Sequence, residues 1–280
     1  RKPGEKIPLQ GWIEHEAAKA LFAKAGLDLD ALRVKARQPD FRPVALEGVN
    51  FKADLSVSVD RIQSRNVIAK LSGAKRPGET LMFGAHWDAY GKGPDGTIRA
   101  GANDDALGVA GVLELARLFK AGKRPDRTLV FAMWTGEERG LLGSEYYGAN
   151  PLFPLETTAA NLTLDILNTG GPSKNVVLVG NGNSSLDGLL ARAAKEQGRV
   201  VTPETFSERG LFFRADHFSV VRRGVPSLLI MQLGGAPDLA EGGVTAGQKW
   251  LDGFMACYHQ GCDVWSPELR FYAGGGGGDL

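Results

Sequence analysis

Two polar motifs constrain this chain more than any other feature, because each one directly follows an apolar run. The run at residues 81–83 leads to His86 and Asp88, and the run at 128–134 leads to Glu137 and Glu138. Such runs predict strands buried on both faces, which is typical of parallel sheets. Open α/β sheets keep their functional sites at the carboxyl ends of their strands. We therefore expect both motifs at one site.

Strand and helix patterns alternate along most of the chain and predict the fold class. With 280 residues, of which 43% are hydrophobic, the chain can bury one sizeable core. The alternation predicts an α/β protein of three layers, with helices around a mostly parallel mixed sheet. Strands are predicted at 57–62, 66–71, 81–86, 128–134, 162–167, 176–179 and 225–231, and helices at 104–121, 141–147, 185–197 and 215–223.

Composition excludes several function classes. A net charge of +1 and the lack of a basic tract argue against nucleic acid as a partner. No apolar run reaches the ~18 residues of a membrane span, so none is expected in this segment. Cys257 and Cys262 bracket His259. A thiolate metal pair at this spacing would lack a second Cys/His pair, so free thiols or a local disulfide are favoured. A disulfide would indicate an oxidising compartment.

The two ends of the chain differ from its middle. Residues 1–50 contain a predicted helix at 14–25 that ends at Gly26. A segment with prolines at positions 39 and 43 follows and is predicted to be a linker. Residues 51–265 carry the α/β pattern. Residues 266–280 include five consecutive glycines, which cannot form a packed element, so a disordered tail is expected there.

Five side chains at strand ends or helix starts have the chemistry of metal ligands. Oxygen and imidazole donors suit zinc or another borderline divalent ion. If Asp104 bridges two ions, two of the other four complete each site, so that each ion has three protein ligands. The candidate ligands are His86 and Asp165 for one ion, Glu138 and His259 for the other, and the shared Asp104.

Two acidic residues beside these candidates have predicted supporting roles. Glu137 is adjacent to a ligand but does not itself coordinate, so it is the candidate general base. Asp88 lies two residues after His86 and is expected to accept the second ring N–H of that imidazole. Taken singly, each candidate has an ordinary explanation, such as a core histidine or a helix N-cap. Their joint occurrence favours the metal site.

These motifs resemble the family of co-catalytic dizinc aminopeptidases and glutamate carboxypeptidases, which has the zinc exopeptidase fold. The motifs are His86-Trp87-Asp88, Asn103-Asp104-Asp105 with Gly108, Glu137-Glu138 with residues 140–144, Asp165, Asp216-His217 and Tyr258-His259. The resemblance covers residues 60–265. It implies two Zn²⁺ ions on the five ligands named above, Glu137 as base, a peptide substrate, and a cis peptide bond between Asp104 and Asp105, with Asp105 supporting the ligands. Residues 7–26 resemble the end of a protease-associated domain, so residues 1–50 are expected to be a remnant of that accessory domain.

The resemblance also implies residues on the substrate side. Carboxypeptidase-type relatives place a Tyr before the last His ligand to bind the oxyanion, and Tyr258 occupies that place. Some aminopeptidase relatives use a Tyr where this chain has Phe212. Asp216 and His217 are expected to line the cleft, and Phe213 is expected to wall a side-chain pocket.

The sequence therefore predicts a secreted or periplasmic dizinc exopeptidase, and the breadth of the family favours an aminopeptidase. A glutamate carboxypeptidase-like carboxypeptidase or dipeptidase is the main alternative, supported by Tyr258 and the accessory-domain remnant. A glutaminyl cyclase-like acyltransferase with one zinc ion is a second alternative. A receptor-like ectodomain without catalysis is a third.

Overall fold

The computed structural model describes residues 11–266, and the chain divides into two compact units, Arg1–Arg61 and Ile62–Leu280. The first unit contains helices α1 (His15–Lys24) and α2 (Leu29–Lys35). Asp28 begins α2 by accepting the N–H of Ala31 at 3.0 Å, a normal N-cap bond. That the first unit is the remnant of an accessory domain stays a prediction, as does the domain boundary predicted at residue 50. The predicted disordered tail, apart from residue 266, lies outside the described residues.

The second unit contains the remaining helices and all the strands described. Its elements are β1 (Val67–Leu71), β2 (Arg76–His86), β3 (Gly91–Lys92), β4 (Ile98–Arg99), α3 (Leu107–Ala121), β5 (Arg127–Trp134), α4 (Leu142–Ala149), β6 (Thr158–Leu164), β7 (Asn175–Val179), α5 (Asp187–Glu196), β8 (Val200–Pro203), α6 (His217–Val221), β9 (Ser227–Ile230) and α7 (Gly243–Cys257). None of the described helices combines the length and the hydropathy needed to cross a bilayer.

A seven-stranded sheet forms the centre of this unit. Its strand order is β1-β5-β2-β6-β9-β7-β8. The pairs β2 with β5, β2 with β6, β6 with β9, and β7 with β8 are parallel, whereas β1 with β5 and β7 with β9 are antiparallel. The predicted mostly parallel, mixed sheet is therefore confirmed.

Alternating side chains of the central strands pack against helices on opposite faces of the sheet. Phe83 of β2 packs on one face with α3, in a cluster that includes Val112. Its neighbour Met82 packs on the other face, in a cluster that includes Tyr147 of α4 and Val220 of α6. Successive strand residues point to opposite faces, so these two clusters lie on either side of the sheet. The three-layer prediction is confirmed.

The structure differs from the predicted elements at several places. Helix α2 and strands β3, β4 and β8 were not predicted, and α3 begins at Leu107 rather than at residue 104. Residues 57–62 are exposed coil rather than the predicted strand, because no neighbouring segment of the described chain pairs with them. Helix α7 was not predicted, since its glycines weaken the helical signal. One of these, Gly247, is required by packing, because a Cβ there would lie 1.7 Å from the carbonyl oxygen of Pro237.

Candidate metal centre

Three adjacent parallel strands deliver polar side chains to one edge of the sheet. His86 is the last residue of β2, and Asp165 directly follows β6. Glu137 and Glu138 lie in a short 3₁₀ turn just after β5. Because β5, β2 and β6 are neighbours and run parallel, their carboxyl ends meet. The fifth candidate, His259, comes from the loop after α7.

Asp104 lies between the two imidazoles. Its Oδ1 is 3.0 Å from Nε2 of His86, and its Oδ2 is 3.1 Å from Nε2 of His259. Nε2 of His259 is also 3.3 Å from Oε2 of Glu138. One carboxylate therefore faces both sides of the cluster, which is the position that the sequence assigned to a bridging ligand. The peptide bond between Asp104 and Asp105 is cis, as the resemblance implied.

The donor atoms form two groups, and in each group they lie within 4.8 Å of one another. One group is Asp104, Glu138 and His259, as expected. The other contains His86 and Asp165 but has Asp105 in place of Asp104. The oxygens of Asp105, however, accept the backbone N–H groups of His86 and Gly108, each at 3.0 Å. That Asp104 is the third donor beside His86 and Asp165 stays a prediction, which the 3.0 Å approach of its Oδ1 to Nε2 of His86 supports.

Burial and mutual repulsion perturb the acids of this cluster. Burial and the neighbouring carboxylates raise the pKa of Glu137 to about 10, that of Glu138 to about 8 and that of Asp165 to about 7. Burial opposes the charge of His86, but the hydrogen bond with Asp104 and the surrounding acids raise its pKa to about 12. So many carboxyl groups cannot all ionise together unless positive charge joins them.

The cluster fits divalent cations. Oδ1 of Asp165 is buried and has no hydrogen-bond partner among residues 11–266. An unpaired buried carboxylate oxygen is unfavourable by several kcal/mol, roughly, unless a cation or a donor meets it. Imidazole and carboxylate donors at these separations match what zinc and similar ions prefer.

The carboxylate of Asp88 has a role different from the predicted one. The Nδ1 atom of His86 hydrogen-bonds the backbone carbonyl of Asp88 at 3.0 Å, whereas the Asp88 carboxylate is 3.8 Å away. That carboxylate instead accepts the N–H groups of Glu137 at 3.0 Å and Glu138 at 3.3 Å. With Nδ1 donating to the carbonyl, Nε2 of His86 is left free as a ligand atom.

The loop after α7 presents the last ligand. Cys257 and Cys262 form a disulfide, and the six-residue segment they close carries Tyr258 and His259. His259 has a φ of 59°, in the left-handed region that few non-glycine residues adopt. Its ring stacks on Tyr258 at a centroid distance of 3.7 Å and contacts Tyr90 at 4.4 Å. The ring is thus held by both backbone and aromatic contacts.

A cleft of about 590 Å³ opens beside this cluster. Glu137, Glu138, His259 and Tyr258 line its metal side. Burial raises the pKa of the Tyr258 phenol, so the phenol remains a hydrogen-bond donor. Phe213 lines the cleft and is 60% exposed, which places it where the sequence predicted a pocket wall.

The other predicted substrate residues lie deeper. Asp216 and His217 are 3% and 0% exposed. Phe212 packs edge-on against His217 at 4.8 Å between ring centroids. None of these three is among the residues that line the main cleft. Their contact with substrate stays a prediction.

Several cleft residues carried no recognisable sequence signal. Arg214, Arg222 and Phe218 line the cleft. Arg222 forms an ion pair with Glu145, which also lines it. Arg214 lies two residues before the Asp216-His217 motif, and this proximity is the one sequence feature that pointed to it. The cleft therefore combines acidic, cationic and aromatic walls.

Comparisons with known proteins agree with this geometry. A family model described as Peptidase family M28 matches residues 66–269. Leupeptin-inactivating enzyme 1 of Streptomyces exfoliatus is 31% identical over 206 residues, which cover 71% of this chain and 42% of that protein. An aminopeptidase of Pseudomonas aeruginosa is 31% identical over 222 residues, covering 72% of this chain and 37% of that protein. The chain thus spans less than half the length of these relatives.

A solved structure supports the fold alone. A Zn-dependent exopeptidase from Parabacteroides distasonis superimposes with a TM-score of 0.51 at 20% sequence identity, covering 71% of this chain and 70% of that one.

Proposed function

The chain belongs to peptidase family M28, and from that premise we propose that it is a zinc-dependent exopeptidase that removes the N-terminal residue of peptides. The observation that carries this proposal is the carboxylate of Asp104, with one oxygen facing each imidazole. Relatives named as aminopeptidases support the choice of terminus.

Two zinc ions are proposed as the cofactor. His86, Asp104 and Asp165 would hold one ion, and Asp104, Glu138 and His259 the other. Bound there, the ions would lower the pKa of a water molecule and polarise the carbonyl of the scissile peptide. The raised pKa values of Glu138 and Asp165, which follow from burial and crowding, support the need for positive charge at this place.

Glu137 is the proposed general base. Its carboxyl group lines the cleft beside the ligands. We assign it the proton of the attacking water, which it passes to the nitrogen of the departing amine. The Asp88 carboxylate holds the backbone of Glu137 at 3.0 Å and so fixes the base. The Tyr258 hydroxyl is proposed to donate to the carbonyl oxygen as negative charge develops on it.

One observation keeps a carboxypeptidase as the second candidate. The guanidinium group of Arg214 lines the same cleft as Glu137 and Tyr258. A guanidinium group suits the C-terminal carboxylate that a carboxypeptidase must bind. A digest decides between the two: an aminopeptidase releases product from an amino-acid anilide, and a carboxypeptidase releases a free amino acid from an N-blocked dipeptide.

The compartment and the accessory segment complete the proposal. The Cys257–Cys262 disulfide supports folding in an oxidising environment, so we assign the protein to the periplasm or the cell exterior. Residues 1–50 are assigned to the remnant of a protease-associated domain.

Replacing Glu137 tests the mechanism. Glu137→Gln keeps the side-chain shape but cannot accept a proton, so turnover should fall ~10²–10⁴-fold while two zinc ions per chain are retained. Elemental analysis and steady-state kinetics measure both quantities. Glu114→Gln, a surface glutamate paired with Arg117, is the matched control.

Equal turnover of the two variants would discard the base assignment. One zinc ion per chain, together with ring closure of N-terminal Gln, would indicate the acyltransferase alternative instead.

A further inference from the structure

One buried carboxylate outside the predicted ligand set binds the backbone of the Asp104 segment. Asp263 is 7% exposed. Its Oδ1 accepts the N–H of Asn103 at 2.9 Å, and its Oδ2 accepts the N–H of Asp104 at 3.2 Å. Its backbone carbonyl accepts the N–H of Ala102 at 3.2 Å. Three successive amides of one segment therefore point at a single residue.

We propose that Asp263 is a positioning residue that fixes the carboxylate of Asp104 relative to the ring of His259. The proposal rests on the zinc site proposed above and deepens it, because it identifies what holds the two halves of that site together. Asp263 is in neither of the two donor groups found among the described residues, and each of its carboxylate oxygens accepts a backbone N–H.

The connection to His259 runs through the disulfide loop. Cys262 precedes Asp263, and its bond to Cys257 closes the segment that carries His259. The N–H of Asp263 donates to the carbonyl of Gln260 at 3.3 Å, within the same loop. Any movement of Asp263 relative to Asp104 would therefore change the 3.1 Å approach of His259 Nε2 to Asp104 Oδ2.

The other segments that carry candidate ligands are held in the same way. Asp88 accepts the amides of Glu137 and Glu138, and Asp105 accepts that of His86. Asp263 differs because it joins segments 160 residues apart, so no local turn can replace its contact. Carboxylate-to-amide bonds of this kind are charge-assisted and stronger than neutral ones.

Asp263→Asn is the informative change. The amide group keeps one acceptor oxygen but turns an NH₂ group towards the second backbone N–H, so one bond is lost and two donors face each other. Loss of a group that orients metal ligands weakens metal binding by ~10–100-fold. Asp104 is proposed to bind both ions, whereas His259 is proposed to bind only one. The weakening should therefore be larger for the ion held by Asp104, Glu138 and His259 than for the other ion.

Zinc titration in competition with a chromogenic chelator, on the whole chain, tests the proposal. Asp187→Asn is the matched control. Asp187 also accepts a backbone N–H, from Gly182 at 2.6 Å, but it is the first residue of α5 and does not line the cleft. Thermal unfolding of the zinc-free proteins is measured in parallel, and the absorption spectrum of the Co²⁺-loaded proteins reports ligand geometry.

The expected result is one zinc-binding step weakened at least ~10-fold in Asp263→Asn, an altered Co²⁺ spectrum, and zinc-free unfolding at the wild-type temperature. Zinc affinity equal to that of the Asp187→Asn protein would overturn the proposal. So would a zinc-free Asp263→Asn protein that is already unfolded, because Asp263 would then support the whole fold. Failure of the wild-type chain to bind zinc would instead overturn the proposed function, and this inference with it.

Discussion

Opening the disulfide should destabilise the protein by an amount that the structure sets. Cys257 and Cys262 are the two cysteines of the chain, so reduction changes one bond and nothing else. The bond closes a loop with a sequence separation of 5. A loop this short removes about 7 cal/mol/K of entropy from the unfolded chain, which corresponds to about 2 kcal/mol at room temperature.

This free energy converts into a measurable shift of the unfolding temperature. For a unit of ~200 residues, each kcal/mol shifts Tm by about 2–4 °C, so reduction should lower Tm by about 4–8 °C. His259 lies between the two cysteines, so the disulfide restrains its left-handed backbone conformation. Reduction should therefore also weaken zinc binding. Unfolding is measured with a chelator present, so that loss of zinc does not contribute to the Tm shift.

Circular dichroism during heating, with and without a thiol reductant, measures the shift. A protein in which both cysteines are replaced by serine should unfold at the temperature of the reduced wild type and should not respond to reductant. If thiol titration shows two free thiols while Tm stays within about 1 °C of the oxidised value, the loop-entropy argument is wrong.

Three further predictions follow from individual contacts. Tyr258→Phe should lower kcat by ~10²–10³-fold with little change in KM, if its hydroxyl acts on the developing oxyanion; equal loss in both parameters would contradict that role. Gly108→Ala should destabilise the protein by about 1–3 kcal/mol in denaturant unfolding, because its Cβ would lie 2.2 Å from Oδ1 of Asp105, whereas Gly188→Ala, with open space around it, should be neutral or stabilising. Burial lowers the pKa of His217 to about 3, whereas the pKa in the unfolded chain is about 6.5. Between these two values the unfolded chain binds a proton that the folded chain does not, so stability falls as pH falls towards 3. His217→Phe should therefore move the acid-unfolding midpoint to lower pH, and identical midpoints by circular dichroism would refute the assignment.

The parts of the site that follow strands were predictable from local sequence. A parallel strand is buried on both faces, so it appears as an unbroken apolar run, and the first polar residue after it marks the edge of the sheet. This signal located His86, Glu137 and Asp165 on β2, β5 and β6. The strand order β5-β2-β6 brings these residues together, and that order was not predicted from the sequence.

Contacts between distant segments were not predictable in the same way. Residues 57–62 show the alternation of a strand, but a strand needs a partner, and alternation alone does not supply one. The position of the loop with His259 depends on α7, and the glycines of α7 weaken its helical sequence pattern. The spacing of four between Trp250 and Phe254, whose rings stack on one face of α7, was the remaining helical signal. Asp263 and Asn103 are 160 positions apart in the sequence, and hydrophobic periodicity carries no information on contacts between such distant residues.

The choice between neighbouring aspartates shows what the structure adds to the sequence. Asp104 and Asp105 are identical in type and adjacent, so the sequence alone gives little reason to prefer Asp104 as the ligand. In the structure both oxygens of Asp105 accept backbone N–H groups, whereas those of Asp104 face imidazole rings. Each oxygen of Asp105 already accepts one backbone N–H, whereas Oδ1 of Asp165 has no hydrogen-bond partner among residues 11–266. Backbone hydrogen bonds thus give the two adjacent aspartates different surroundings, which supports the proposal that Asp104 rather than Asp105 binds metal.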